Sequence, residues 1–389
     1  MIRVGFVLSL DESWHGGLNY FKNLLNAVYQ LPNREIDIVI FTGSNNSLML
    51  MEGLPKVQVV ISSAFDQNTL LWWIRRFFKK LFYRDPVLWV LIRQYNVKLL
   101  SHFNEAVIFK STPIISWIPD FQHLHLPHFF TQKEITARNK LFTFLTNYSK
   151  IIIMSSNAAK KDFIEFAPLF DKKVQILQFC VNPDLTSHKN TDLSALQKKY
   201  KFQGNYFFLP NQFWAHKNHQ VVIDALALAI NKNKNIKVIC TGNTKDYRQP
   251  EYFADIQKQI LALELQDHFK ILGLVPYKDL IALMRHSIAV VNPSMFEGWS
   301  TTVEESKCLN KTILLSNIEV HMEQNPKRAH YFSVDDSQSL AEYFLSLMVE
   351  NAEIIDHQQY EDELLIYKQK FIEFGSTYQK TVQAALINY

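Results

Sequence analysis

Hydrophobic and polar positions follow two alternating patterns along the chain. Short apolar runs typical of buried strands are separated by longer stretches with helical spacing, such as the stripe of Leu18, Phe21, Leu25 and Val28 after the first run. Strands that alternate with helices predict parallel sheets covered on both faces. The predicted strands are Ile2–Leu10, Asp37–Phe41, Val57–Ile61, Val97–Phe103, Pro113–Ile118 and Ile151–Ser155, then Tyr206–Leu209, Ile236–Thr241, Lys270–Leu272, Ala289–Val291 and Thr312–Ser316.

The two series of strands are divided by a polar segment at Val181–Asn190. A chain of 389 residues is also too long for one ordinary hydrophobic core. We therefore predict an α/β fold of two Rossmann-like, doubly wound domains, at residues 1–190 and 200–370. Residues 371–389 are predicted to form a C-terminal helix that crosses back to the first domain. The residues at 374–377 are interpreted as a helix break followed by a new cap.

Composition excludes several classes of function. The formal charge of +4 is small, and neither a basic tail nor an aromatic RNA-binding strand accompanies it, so no nucleic-acid partner is expected. The chain shows no apolar run of the roughly 20 residues that a membrane span needs, and no signal-peptide pattern. Cys180, Cys240 and Cys308 have no metal-ligand spacing. We expect a cytoplasmic protein.

The strongest chemical signal is the run SMFEGWSTTVEE at 294–305. A helix is predicted to begin with Thr301 as N-cap and Glu304 as its capping-box partner. Carboxylates accept hydrogen bonds in pairs, so Glu297 and Glu305 suit adjacent sugar and ribose hydroxyls. An ordinary acidic first turn explains Glu304 but not Glu297. The amides that would face a diphosphate are those of Gly298, Trp299, Ser300, Thr301 and Thr302.

A glycine pair, Gly16 and Gly17, lies in the first loop between a strand and a helix. The absence of Cβ atoms lets backbone amides approach a phosphate, and the helix N-terminus behind them favours negative charge. A plain tight turn is the alternative interpretation of the pair.

Glu297 and Glu305 are separated by seven residues, and this run resembles the EX7E signature of retaining GT-B glycosyltransferases of family 4. The resemblance implies that Glu297 contacts the donor sugar and Glu305 the ribose of a nucleotide sugar. It also implies that Gly16 and Gly17 approach the diphosphate from the first domain. The same donor site would include Asn211, Gly242 and Val275.

Lys217 follows the first strand of the second domain, at the position where this family has a lysine facing the diphosphate. The family's usual arginine is replaced here by Asn211 or Gln212, which leaves the second cation unassigned. A solvated lysine at a helix start is the alternative for Lys217.

A loop after a first-domain strand, at 117–128, resembles the family loop that touches the donor sugar near the reacting carbon. The family's His-Asp pair is here Pro119-Asp120, so either Asp120 or His123 would take that role. A zinc site from His123, His125 and His128 is the less favoured alternative to ordinary loop histidines. We expect no metal and no cofactor, with the nucleotide sugar acting as substrate.

The segment Leu70–Phe82 predicts an amphipathic helix with apolar residues on one face and basic residues on the other. Two interpretations stay open: the helix lies on an anionic membrane, or it packs on the core with its basic residues in solvent.

The sequence thus predicts a retaining glycosyltransferase that moves a sugar from a UDP- or GDP-sugar to a glycan or lipid-linked acceptor. Bacterial surface polysaccharide or lipopolysaccharide synthesis is the expected setting, by resemblance. A nucleotide-sugar epimerase on the same fold and a noncatalytic partner protein that has lost its activity are the alternatives.

Overall fold

The chain forms two compact units in a computed structural model that describes residues 1–8, 15–44, 53–184, 192–349 and 357–387. The first unit comprises Met1–Leu124, Thr131–Asn182 and Lys370–Tyr389, and the second comprises His125–Phe130 and Pro183–Gln369. Most of the segment predicted as a linker, 181–190, lies outside the described residues. Each unit is built on its own sheet.

The first unit contains a seven-stranded sheet in the order β3-β2-β1-β4-β5-β6-β7, with every neighbouring pair parallel. Helices lie in the connections that follow β1, β3, β5 and β6, whereas β4 is joined to β5 by residues 102–113 without a helix. Apolar strand residues such as Val4 and Phe6 are fully buried, and Leu18, Phe21, Leu25 and Val28 of the first helix are buried as well. The strands are β1 Ile2–Val7, β2 Ile36–Thr42, β3 Gln58–Ile61, β4 Leu99–Ser101, β5 Ile114–Ile118, β6 Ile151–Met154 and β7 Val174–Ile176.

One helix of the first unit, Leu70–Phe82, has the bounds that the sequence predicts. The third begins at Pro86, where the side chain of Asp85 accepts a hydrogen bond from the amide of Leu88. The α-helices are α1 His15–Tyr29, α2 Leu70–Phe82, α3 Pro86–Gln94, α4 Gln122–His125, α5 Gln132–Tyr148 and α6 Asn157–Phe166.

The second unit contains a six-stranded sheet in the order β10-β9-β8-β11-β12-β13, again with parallel pairs. Its strands are β8 Phe207–Leu209, β9 Val238–Cys240, β10 Phe269–Ile271, β11 Val290–Asn292, β12 Ile313–Ser316 and β13 Ala329–Phe332. Its helices are α7 Leu193–Tyr200, α8 His219–Ile230, α9 Tyr252–Ala262, α10 Tyr277–His286, α11 Thr301–Cys308, α12 Glu319–Gln324 and α13 Ser337–Val349, and α14 His357–Ile387 ends the chain. The prediction of two doubly wound α/β domains is confirmed.

Two strands were absent from the sequence prediction, β7 and β13, and each lies at an edge of its sheet. Both are short and carry polar residues, Gln175 in β7 and His330 in β13. Edge strands have one open side, so they lack the continuous apolar run by which buried parallel strands are recognised.

The last helix, α14, is continuous from His357 to Ile387, so the predicted break and cap at 374–377 are wrong. Gly375 serves close packing instead, because a Cβ atom there would lie 2.5 Å from the carbonyl oxygen of Ala27 in α1. The helix therefore crosses α1 at a distance that only glycine permits.

The three cysteines, Cys180, Cys240 and Cys308, are buried. Among the described helices, none combines the length and the apolar character that a membrane crossing needs.

We expect Gly375→Ala to lower the free energy of unfolding by about 1 to 3 kcal/mol, because the added methyl overlaps the backbone of α1. Helix propensity alone would give the opposite sign, since alanine favours a helix interior by about 1 kcal/mol over glycine. Urea unfolding measures the difference, with Ser376→Ala on the same helix as the matched control. Stabilisation by Gly375→Ala would contradict the close crossing.

Candidate active site

The candidate site of the second unit lies at the carboxyl ends of β8 and β11. These strands are neighbours in the sheet, yet the chain runs from β8 to β9 on one side and from β11 to β12 on the other. Loops that leave a parallel sheet in opposite directions open a crevice at this switch point, where ligands of such sheets bind. Lys217 lies in the loop after β8, and Glu297 lies in the loop after β11.

Asn292, the last residue of β11, joins these loops. Its Oδ1 accepts hydrogen bonds from Asn211 Nδ2, at 3.1 Å, and from the Ser294 hydroxyl, at 2.8 Å. Its Nδ2 donates to the hydroxyl of Ser300 at 2.8 Å. The Asn292 side chain is fully buried, so these bonds are not exchanged with water. One amide thereby fixes the positions of three loop residues.

Lys217 and Glu297 form an ion pair, with Lys217 Nζ 2.5 Å from Glu297 Oε1. Their side chains are 15% and 11% exposed, so the pair is largely withdrawn from water. The Ser294 hydroxyl oxygen lies 2.7 Å from the same carboxylate oxygen, so its single proton is shared between Glu297 Oε1 and Asn292 Oδ1. Lys217 ends a short 3-10 turn, Ala215–Lys217, whose His216 carbonyl accepts from the amide of Met295 at 2.8 Å. The lysine is held in the site and is not a freely solvated side chain.

His321 of α12 lies next to these groups. Its Nδ1 is 3.0 Å from the carbonyl oxygen of Ser316, and the ring is fully buried. Burial lowers the pKa of His321 to about 4, although the negative charge of Glu297 acts in the opposite direction. The ring is therefore neutral at physiological pH, so the site does not gain a second positive charge from it.

The N-terminus of α11 differs from the sequence prediction. The N-cap is Ser300, whose hydroxyl accepts from the amide of Val303, and Thr301 is the first helical residue. The predicted capping box of Thr301 and Glu304 is therefore wrong. The Ser300 amide donates to Gln324 Oε1 at 3.1 Å, so that amide is engaged within the protein. Thr301 and Thr302 occupy the first turn, where helix amides have no partner within the helix.

Glu304 points into the interior instead of capping the helix. Its carboxylate accepts from Gln324 Nε2 at 2.9 Å, from Lys307 Nζ at 2.9 Å and from the Tyr367 hydroxyl at 3.0 Å. Tyr367 belongs to the part of α14 that is assigned to the second unit. A buried carboxylate with three donors is a structural anchor, which leaves Glu297 and Glu305 as the carboxylates of the site.

Glu305 is buried on the next turn of α11 and accepts a hydrogen bond from the Tyr277 hydroxyl at 2.9 Å. Burial raises the pKa of Glu305 to about 7, and the bond from Tyr277 lowers it in part. Burial also raises the pKa of Tyr277 well above its usual value, although the ring remains 39% exposed. Glu305 is thus a carboxyl group whose charge changes near neutral pH.

The remaining predicted residues of this unit have identifiable contacts. Asn211 is buried against Asn292, and Gly242 has a φ of +143°. A Cβ on Gly242 would lie 2.3 Å from the carbonyl oxygen of Asn211, so this glycine permits the close approach of the two loops. Val275 is half-buried just before Tyr277, while Gly298 and Trp299 are half-buried before α11.

Gln212 carries no charge, so it cannot supply the second positive charge of the family's arginine, and its Oε1 accepts from the amide of Asn243 at 2.6 Å. Arg248 is a positively charged residue beside His216, which precedes Lys217 in the chain. Its Nη2 is 3.5 Å from His216 Nδ1, and its guanidinium packs 5.0 Å from the ring centre of Phe130.

In the first unit, Gly16 and Gly17 form the first turn of α1 after β1, and residues 9–14 lie outside the described part. Gly16 is exposed, and a Cβ added there would meet no atom within 4 Å. The fold of this unit therefore does not require glycine at position 16. The tight-turn alternative accounts for it poorly.

The loop after β5 contains Asp120 and His123. Asp120 is half-buried, and its Oδ1 accepts from the amide of Gln122 at 2.9 Å at the start of α4. His123 is fully buried, with Nε2 2.8 Å from Asn139 Oδ1, and burial lowers its pKa. Of the two candidates, only Asp120 has a solvent-accessible side chain.

His125 packs against Phe296, with ring centres 5.0 Å apart, whereas His123 is directed to Asn139. Within the described residues, no group of three or more His, Cys, Asp or Glu is arranged to hold a metal ion.

Sequence reasoning gave no supporting role to several residues of the site, chiefly Asn292, Ser294, His321 and Gln324. Asn292 and Ser294 surround a proline at the end of a buried strand, and a polar residue at such a strand end signals a site. Gln324 and His321 carry no comparable signal, since they reach Ser300 and Ser316 only through the folded arrangement of α12.

The second unit matches a known family. Residues 195–362 match the family described as glycosyl transferases group 1. One relative is the O-antigen chain mannosyltransferase RfbU of Salmonella typhimurium, which is 26% identical over 261 residues. That match spans 64% of this chain and 65% of the relative, slightly less than two thirds of the relative's length.

The fold of the whole chain resembles that of solved GT-B enzymes. Anabaena Alr3699/HepE, solved in complex with UDP-glucose, aligns with a TM-score of 0.72 and 17% identity over 99% of this chain and all of that one. WaaG, a glycosyltransferase involved in lipopolysaccharide biosynthesis, aligns with a TM-score of 0.61 and 12% identity over 99% of both chains. The predicted GT-B fold is confirmed.

Because the buried carboxyl of Glu305 keeps its proton up to about pH 7, whereas an unfolded glutamate loses it near pH 4.5, the native state binds more protons between these values. The free energy of unfolding should therefore fall as the pH rises through this window, on the order of 2 to 3 kcal/mol. Urea unfolding across the window should show a flatter profile for Glu305→Gln, with Glu342→Gln on an exposed helix face as the control. Identical profiles for wild type and Glu305→Gln would contradict the assignment.

Proposed function

We propose that this glycosyltransferase moves a sugar from a UDP- or GDP-sugar to a glycan or lipid-linked glycan acceptor, with retention at the anomeric carbon. The observation that carries the proposal is the buried pair of Lys217 and Glu297 beside the N-terminus of α11. The spacing of Glu297 and Glu305 resembles the family 4 signature, and this resemblance supports retention. An O-antigen mannosyltransferase and a lipopolysaccharide glycosyltransferase among the similar proteins support bacterial surface polysaccharide assembly as the setting.

Lys217 would change partner when the donor binds. Its ammonium now neutralises Glu297 in a site with little water. A diphosphate brings two further negative charges, which would attract the ammonium and the free amides of Thr301 and Thr302. As the bond from sugar to phosphate breaks, charge grows on the leaving oxygens, and these preorganised donors stabilise it. The reaction in this proposal requires no metal ion.

Glu297 would bind and orient the donor sugar. Ser294 and Lys217 hold its carboxylate at one oxygen, which leaves the other oxygen for sugar hydroxyls. In this scheme the leaving phosphate accepts the proton of the acceptor hydroxyl on the same face of the sugar. Neither glutamate then acts as nucleophile, unlike the carboxylate pair of a retaining glycosidase.

Glu305 would bind the ribose, with the nucleobase beside Val275 and the exposed ring of Tyr277. Two ribose hydroxyls donating to Glu305 favour its ionised form, so donor binding should strengthen above the pKa of about 7.

A thermal-shift panel of nucleotide sugars identifies the donor, because a ligand at about 100 times its dissociation constant adds roughly 2.7 kcal/mol of stability.

The first domain, 1–190, would supply the acceptor side, with Gly16 and Gly17 approaching the diphosphate and Asp120 or His123 contacting the donor sugar. The second domain, 200–370, would hold the nucleotide. The last helix, α14, would link back to the first domain. With a lipid-linked acceptor, the enzyme would work in the cytoplasm at the inner face of the membrane.

Lys217→Ala and Glu297→Gln should each lower turnover at least about tenfold, a loss of roughly 1.4 kcal/mol of transition-state stabilisation. Release of nucleotide diphosphate and formation of the glycosylated acceptor measure the rate. Lys258→Ala and Glu342→Gln remove the same groups from exposed helix positions and should leave the rate unchanged.

Wild-type rates in both site variants would reject the assignment of the ion pair. A C2 epimer formed from a UDP-sugar without acceptor would favour an epimerase instead. Donor binding without transfer to any acceptor would favour a noncatalytic protein.

Gly16→Ala should leave stability within about 0.5 kcal/mol of wild type, because no atom lies near the added methyl. The same methyl should weaken donor binding about tenfold if the diphosphate approaches the backbone of Gly16. Isothermal titration with the donor found in the panel measures the affinity. Unchanged affinity would remove Gly16 from the donor site.

A further inference from the structure

Helix α2 turns Arg75 toward the first unit and leaves Arg76 and Lys80 exposed. Among its residues only Arg75 is buried, at 4% exposure. The apolar side chains that its sequence pattern would direct to a core are turned to solvent, with Leu70 at 76%, Trp73 at 52% and Phe77 at 55% exposure. The core-packed interpretation of this helix is therefore wrong for its apolar face.

Arg75 is held by several specific contacts. Its Nε lies 2.7 Å from Asp85 Oδ2, and its Nη1 donates to the carbonyl oxygen of Ala64 at 3.0 Å. The guanidinium also stacks on the ring of Phe65, 4.2 Å from its centre. Asp85 in turn caps α3 through the amide of Leu88. Loss of these contacts would leave the buried guanidinium charge without partners, which strongly destabilises a fold. The contacts therefore fix the orientation of the helix.

The exposed apolar surface extends beyond α2. Leu81 and Phe82 at the end of the helix are each 56% exposed, and Tyr83 after it is 48% exposed. The neighbouring α3 exposes Trp89 at 45% and Val90 at 52%. We call this surface, formed by residues 70–90, the apolar face. Contiguous exposed apolar surface rimmed by charge marks an interaction site on a soluble domain.

Positive charge is concentrated around the apolar face. Residues 67–98 contain seven basic residues and one acidic residue, a net charge of +6, whereas the whole chain carries only +4. The one acidic residue, Asp85, is already paired with Arg75. The guanidinium groups of Arg76 and Arg93 lie over the rings of Trp72 and Trp89, at 5.3 and 5.4 Å.

A groove of about 440 Å³ runs beside the helix. Its lining includes Arg76, Lys79, Lys80 and Tyr83, with Glu105 on the far side. Glu105 is 2.9 Å from Lys79 and 3.6 Å from Arg75, and it has no salt bridge to Arg76 or Lys80 among the described residues. The groove is thus wide enough for a small anionic group and has a net positive lining.

We propose that the apolar face docks on an anionic lipid bilayer, with its aromatic and aliphatic side chains at the boundary of headgroups and acyl chains. Arg76, Lys79 and Lys80 then bind lipid phosphates from the groove. Amphipathic helices with bulky apolar residues and a basic polar face bind membranes in this way. A second copy of the chain fits poorly, because it would bring two segments of charge +6 together. The proposal deepens the proposed function, since it places the enzyme where a lipid-linked acceptor lies, but it depends on different residues.

Vesicle flotation of the full chain tests the docking. Vesicles of phosphatidylcholine mixed with phosphatidylglycerol should bind at least about tenfold more protein than phosphatidylcholine alone, and high salt should weaken the binding because it screens the charges. The charge variant Arg76→Glu with Lys80→Glu should lose about tenfold or more of the binding to the mixed vesicles. Phe77→Ser with Leu81→Ser should lose a similar factor by removing buried apolar area.

Two controls match these variants in the second unit. Lys258→Glu reverses a charge that is 74% exposed, and Leu261→Ser removes an apolar side chain that is 60% exposed. Both should bind vesicles like wild type. Donor affinity is measured in every variant, and unchanged values show that the protein is folded.

No binding of the wild type to either vesicle, or equal losses in the controls, would overturn the proposal. So would a dimer of the wild type that Phe77→Ser with Leu81→Ser dissociates in sedimentation, because the face would then be occupied by a second copy. Binding to mixed vesicles without any donor binding would support the membrane surface while refuting the proposed function.

Discussion

A single buried amide, the side chain of Asn292, holds the candidate site together. It binds Asn211, Ser294 and Ser300, and so connects the loop after β8, the loop after β11 and the start of α11. Because Asn292 is the last residue of a strand in the middle of the sheet, the rigidity of the sheet is passed to these loops. The ion pair of Lys217 and Glu297 depends on that rigidity, since charged groups stabilise a developing charge best when they are already in place.

Much of the fold could be predicted from the sequence because buried parallel strands are nearly continuous apolar runs. The central strands β8, β9 and β11 were all predicted for this reason. The bounds of α2 were predicted from the spacing of its apolar residues alone, and the structure adds that the side chain of Thr69 caps the helix. Lys217 and Glu297 were singled out separately, from a strand end and from a sequence signature, and the structure brings their charged groups to 2.5 Å. Their roles toward a donor stay predictions.

The features that could not be predicted are those decided by distant contacts. Ser300 caps α11 in place of Thr301 because Gln324, 24 residues later, binds both its amide and its carbonyl oxygen. Gly375 looked like a helix end, but its lack of a side chain serves the crossing with α1. Arg75 had the pattern of a solvated residue and is instead the buried one, because Asp85 and Phe65 meet it from other elements. The local conformational preference of a residue predicts its structure poorly wherever a contact with a distant residue favours another arrangement.

The burial of all three cysteines makes the chain convenient for spectroscopy. Cys180, Cys240 and Cys308 are at most 9% exposed, so maleimide reagents have little access to them in the native protein. One thiol engineered on the surface of each unit can therefore carry a fluorophore or a spin label without removal of the native cysteines. Distances between two such labels would follow the motion of the units during turnover directly.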